Sequence, residues 1–144
     1  MSLTLTLTSA QAIITHALAK SHELKLRPLC VVVLDARGSV VASACEDGSS
    51  LKRFNIAHAK AQGSLAFNMN SRNLEKLAID RPHFIQGAMH ATGSGLIPVA
   101  GGVIIRNEQK QVIGAVGVSG DTSDNDEIAA FAGIRAAGLA ADDA

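Results

Sequence analysis

The apolar positions of this chain fall into two kinds of segment, long stretches with a helical repeat and short unbroken runs. Ile13, Ile14, Ala17, Leu18, Ser21 and Leu24 recur at the spacing of one helix face. Thr8, with Gln11 three residues on, has the spacing of a capping box, and Pro28 closes the element. Cys30 to Leu34 is an apolar run, Asp35-Ala36-Arg37-Gly38 a turn, and Ser39 to Cys45 the returning arm of a hairpin. After the loop Glu46-Asp47-Gly48-Ser49-Ser50, the segment from Leu51 to about Phe67 reads as helix, with Phe54, Ala57, His58, Ala61 and Leu65 on one stripe.

Ser71 is placed to cap a short helix running through Ile79, and Asp80-Arg81-Pro82 breaks it. Phe84 to His90 suits a further turn or two of helix. A second hairpin follows, 97–106 with 111–119, turning at Asn107-Glu108-Gln109-Lys110. The last helix is expected to begin near Asp124, where Asp124 and Glu127 repeat the capping-box spacing, and to run to about Leu139. The tail from Ala140 to Ala144 is expected to fray, and Leu3 to Leu7 is a candidate edge strand.

The order α-β-β-α-α-β-β-α, with no linker or repeat, predicts one α+β domain, an antiparallel sheet backed by helices. Its central strands are apolar on both faces, whereas an antiparallel sheet open to water alternates. A helix or another subunit must cover the second face, and a homo-oligomer is the expectation. Gly114, Gly117 and Gly120 punctuate the last strand at every third position. Glycine weakens a strand unless another group must come close to it, so this strand, feeding a helix start, suggests a binding surface.

Composition narrows the function. A chain of 144 residues is one domain and needs no metal or disulfide to fold. Hydrophobic residues make up 47% and aromatics only 3%, so the core is aliphatic and few rings remain to stack bases or sugars. Thirteen basic residues balance thirteen acidic ones without a basic run, which argues against nucleic acid. No window matches a membrane span, and Met1 to Thr8 lacks the features of a signal peptide. Cys30 and Cys45 form no disulfide framework and read as reduced core residues, so the chain reads as cytoplasmic.

His58, on the apolar stripe of its helix, is either a buried histidine with a hydrogen-bonding partner or a ligand or acid–base group in a pocket. Arg53 and Lys60 share a helix face, with Asp47 nearby in sequence. They form a solvated face or an anion clamp for a carboxylate, Arg53 being the better carboxylate partner. His16 and His22 sit on opposite flanks of the first helix and read as surface residues. His83 and His90 flank Phe84 in the loop-rich middle of the chain, and His90 with His58 is a candidate catalytic base. Asp124, Asp126 and Glu127 read as helix capping, or as a carboxylate cluster able to hold a cation. No metal-ligand motif, nucleophile elbow or phosphate loop is present.

Together these segments resemble the GlcG/HbpS family, which includes the C-terminal domain of PduO adenosyltransferases. The resemblance rests on Val31-Val32-Val33-Leu34-Asp35-x-x-Gly38, Glu46-Asp47-Gly48-Ser49, Ala57-x-x-Lys60-Ala61, Pro98-x-x-Gly101-Gly102, and Ile113 to Gly120 with Asp126-Glu127. It implies a profilin-like domain, a five-stranded antiparallel sheet with helices packed on it, in dimers or larger assemblies. It also implies a small-molecule-binding domain with haem as a cofactor, as in the haem-binding members, although no axial ligand is assigned by motif. The segment from Arg72 to Gly95 varies most across the family, so Pro82, His83, Phe84 and His90 would set the ligand. The alternatives are a cofactor-independent enzyme acting on a carboxylated or aromatic catabolite, and a purely structural oligomer. The expected pocket holds an anionic small molecule where Asp47 to Lys60 meets Gly101 and Gly102, with Phe84 as part of a lid.

Overall fold

The sheet has the strand order β2-β1-β4-β3-β5, and every neighbouring pair is antiparallel. This is a computed structural model describing residues 4–93 and 95–142. In chain order the elements are α1 (Leu7–Leu24), β1 (Cys30–Asp35), β2 (Val40–Cys45), α2 (Arg53–Phe67), α3 (Ser71–Asp80), α4 (Pro82–Ala91), β3 (Gly102–Arg106), β4 (Val112–Ser119), α5 (Ser123–Ala136) and β5 (Ala140–Ala141). The expected α+β fold, two hairpins with helices between them, is the one observed.

Strand geometry sends alternate side chains to opposite faces, and each face has its own helices. Val31, Val33, Val103, Ile105, Val116 and Val118 enter a core with Ile13, Ala17, Ala130 and Ile134 of α1 and α5. Cys30, Val32, Leu34 and Ala115 turn the other way, onto Ala57 and Ala61 of α2. Both faces are therefore covered from within the chain. The apolar strands are accounted for without a second subunit, so they no longer argue for an oligomer.

Several ends differ from the sequence reading. Thr6, not Thr8, caps α1, its Oγ1 accepting from the Ser9 N–H at 3.1 Å. Leu7 is thus already helical, and Leu5 and Thr6 form no strand; Leu3 lies outside the described residues. The fifth strand comes from the opposite terminus, where Ala140 and Ala141 pair with Arg106 and Ile105. The tail expected to fray is held there by Arg106, whose guanidinium bonds the Asp142 carboxylate. Residues 143 and 144 lie outside the described residues.

The largest departure concerns the cysteines. Leu34 pairs with Val40, yet Val33 pairs with Ala42, so Val41 is an extra residue in β2. Such a bulge shifts the register beyond it by one. It brings Cys45 opposite Cys30, where an unbroken hairpin would bring Ala44, and the two cysteines are joined as a disulfide. The reading of two reduced thiols is corrected by that single inserted residue.

Candidate functional site

The side of α2 that meets the sheet is set by backbone contact. A Cβ on Gly117 would collide with the Ala57 carbonyl oxygen, and one on Gly102 with the Lys60 carbonyl. With the helix pressed so close, only its small side chains and one extended lysine fit beneath it. Ala57, Ala59, Lys60, Ala61, Gly63 and Ser64 are the buried positions. Phe54 and His58, expected at the centre of the inward stripe, are displaced to its rim. Phe54 is 36% exposed, its ring stacked on the half-buried His58 with centroids 5.9 Å apart. Leu51, just before the helix, is 89% exposed.

Lys60 is a charge buried in the molecule's interior. Its Nζ donates to the Val118 carbonyl at 2.9 Å and to Asp126 Oδ2 at 3.2 Å, with the two side chains only 3% and 2% exposed. Burial pushes the Lys60 ammonium below its usual range and the Asp126 carboxyl above its own, while their attraction opposes both shifts. Asp126 Oδ1 also accepts from the Asp121 N–H at 2.9 Å. The Lys60 side chain lies where a Cβ on Gly101 would stand, 2.8 Å from Nζ. Room expected for a ligand against Gly101 and Gly102 is thus taken by Lys60. This ammonium ties α2 to β4 and α5 and is not presented to an anion from solution.

Arg53 is also turned inward, its Nη1 donating to Ser119 Oγ at 3.2 Å. Arg72, at the start of α3, grips Glu127 through Nε (3.0 Å to each oxygen) and Asp124 through Nη2. Asp124 and Glu127, expected to cap α5, are therefore committed to Arg72, and Thr122 is the cap, accepting from the Asn125 N–H at 3.2 Å. Ser71 Oγ accepts from the Gly102 N–H at 2.7 Å, and Glu75 Oε1 from the Ala100 N–H at 3.1 Å. These polar side chains fasten α3 to the segment leading into β3.

The remaining candidates lie elsewhere. His83 and His90 are exposed on α4, which packs on α3 through Ala88, Leu74 and Leu96. Phe84 meets Phe67 edge-on at 6.4 Å and carries the Arg81 guanidinium 5.3 Å above its ring. Asp47 lines a cavity of about 490 Å³ with His22, Leu26, Pro28, Cys45 and Glu46. There His22 Nε2 lies 2.6 Å from Glu46 Oε2, and Glu46 Oε1 accepts from the Leu29 N–H at 2.8 Å. Arg53, Lys60, Gly101 and Gly102 thus gather under α2, while Asp47, the α4 residues and His58 do not join them. No group of three or more His, Cys, Asp or Glu able to hold a metal ion occurs among the described residues, nor any helix long and apolar enough to cross a membrane.

The sequence reading missed the pairings of Asp126, Arg72 and His22, because each partner is distant along the chain. The cysteine pair had one readable signal, its place at the two ends of a predicted hairpin.

Comparison with known proteins places this architecture. The family described as haem degrading protein HbpS-like matches residues 5–135. The crystal structure of a PduOC:haem complex superposes with a TM-score of 0.85 at 20% identity, covering 95% of this chain and 97% of that one. Klebsiella pneumoniae protein ORFY gives 0.86 at 23% identity, covering 96% and 93%. A crystal structure of HbpS gives 0.78 at 25% identity, covering 92% and 89%. No curated protein matches the chain.

Proposed function

The chain belongs to the HbpS-like family, and on that premise we propose that it binds haem on the outward side of α2. The observation that carries this reading is the stacked pair Phe54 and His58 on an exposed surface. His58 offers an imidazole, an ordinary axial ligand of haem iron. Phe54 and Leu51, both exposed, offer apolar contact to a flat macrocycle. Arg53 is engaged with Ser119 and is not free for a haem carboxylate. The residues fit the group in chemistry, as a surface site and not an enclosed one. Bound haem supplies a redox-active iron. The HbpS-like description as haem degrading and the PduOC:haem complex support the choice of ligand.

Haemin titration tests the proposal. A sharp Soret band saturating near one haem per chain is expected, and His58→Ala should abolish or shift it while circular dichroism stays unchanged. An unaltered band in that variant assigns the iron to another residue and overturns the reading. Following the bound band after adding peroxide, against free haemin, separates a carrier from a haem-degrading enzyme.

A further inference from the structure

Beyond that reading, and independent of it, lies the disulfide. We propose that Cys30–Cys45 is a thiol-exchange site, in which a low-molecular-weight thiol attacks Cys45 and Arg53 steadies the departing Cys30 thiolate.

The two cysteines differ sharply in exposure. Cys45 is exposed and lines the cavity of about 490 Å³, while Cys30 is 1% exposed beneath α2. In disulfide exchange the accessible sulfur is the one attacked, so the register places the electrophile outside and the leaving group inside. The cavity, walled by Leu26, Pro28, Glu46 and Asp47, is of small-molecule size and sits on the edge strand β2.

A cation reaches the residue that faces Cys30 on the neighbouring strand. Cys30 is opposite Cys45 on one side and opposite Ser119 on the other. Directly opposed residues share a face with Cβ atoms about 5 Å apart. Ser119 Oγ receives the Arg53 guanidinium at 3.2 Å. Cys45, Cys30, Ser119 and Arg53 therefore line up across three strands and onto α2. An adjacent guanidinium favours a thiolate over a thiol, and arginine keeps its charge at any working pH.

The chemistry balances without a further oxidant or reductant. The small thiol loses its proton to solvent, and its sulfur attacks Cys45 Sγ. A new S–S bond forms there as the Cys45–Cys30 bond breaks, and the electron pair leaves on Cys30. A second small thiol attacking the mixed disulfide releases Cys45 and the oxidised dimer of the small thiol. The reverse sequence restores the protein disulfide.

The test incubates the native protein with graded mixtures of reduced and oxidised glutathione, followed by acid quench, alkylation and mass spectrometry of the peptides. One glutathione on Cys45, with Cys30 alkylated only after denaturation, is expected. Arg53→Gln should slow formation of the adduct about tenfold and Arg53→Lys much less, as loss of thiolate stabilisation requires. Should Arg53→Gln fail to fold by circular dichroism, the single-cysteine variants decide instead. Cys30→Ser should leave a Cys45 that iodoacetamide alkylates readily, and Cys45→Ser a Cys30 that resists it. An adduct on Cys30, reduction only at the rate of global unfolding, equal rates in Arg53→Gln and the parent, or equal alkylation of the two single cysteines would each overturn the proposal.

Discussion

Gly117 of β4 lies directly against the carbonyl oxygen of Ala57 in α2, close enough that a Cβ on Gly117 would overlap it. This contact sets how near the helix comes to the sheet, and with it which α2 residues are buried.

Gly117→Ala should therefore destabilise the fold by at least about 1–3 kcal/mol, the cost of overpacking a closed interface. Gly87, in α4, has no neighbour within 4 Å of its would-be Cβ. Gly87→Ala is expected to stabilise by about 0.5–1 kcal/mol, because alanine suits a helix interior better. Urea midpoints of the two variants should move in opposite directions.

Breaking the Lys60–Asp126 pair from one side strands a buried charge. Asp126→Ala should lower stability by about 3–5 kcal/mol, and the double replacement Lys60→Met with Asp126→Leu should recover much of it. A double-mutant cycle by chemical denaturation measures the coupling. Near-additive single effects would refute it.

Asp121 gives the fold an acid-sensitive anchor. Its carboxylate accepts from the Arg27 N–H at 2.9 Å, the Asn125 amide at 2.8 Å and the Thr122 N–H at 2.8 Å, which hold its pKa well below the usual carboxylate range. The folded value lies below the unfolded one, so its stabilisation is full above about pH 5 and fades as pH falls below about 4. Asp121→Asn should be less stable than the parent at pH 7, with the gap shrinking as the pH approaches about 2. A gap that stays constant over that range would contradict this.

Removing the disulfide should cost stability by freeing a 15-residue separation in the unfolded chain, about 3 kcal/mol on the chain-entropy model. The comparison is the thermal midpoint of Cys30→Ala/Cys45→Ala against the oxidised parent. An unchanged midpoint would mean that the hairpin alone keeps the two strands in register.

The elements were legible because their signals are local. The helical repeat of Ile13, Ile14 and Ala17, the turn at Asp35 to Gly38 and the apolar runs at Cys30 to Leu34 and Val112 to Val118 act over a few residues. The glycines of β4 were rightly read as places of close approach, but what approaches is the chain itself: α2 at Gly117 and the Leu34 carbonyl at Gly114. His58 illustrates the limit. A helical stripe drawn from hydrophobicity centres on Phe54 and His58, yet glycines on a distant strand turn the helix so that Lys60 is buried instead.

The sequence by itself determined the two hairpins and the helices around them, the α+β class and the family, since these follow from short-range periodicity, turn residues and motif spacing. Only the tertiary structure decided which charges pair, which face of α2 is inward and that Cys30 meets Cys45. Those outcomes depend on contacts between residues far apart in the chain, and one bulge residue, Val41, shifts the pairing of a whole strand.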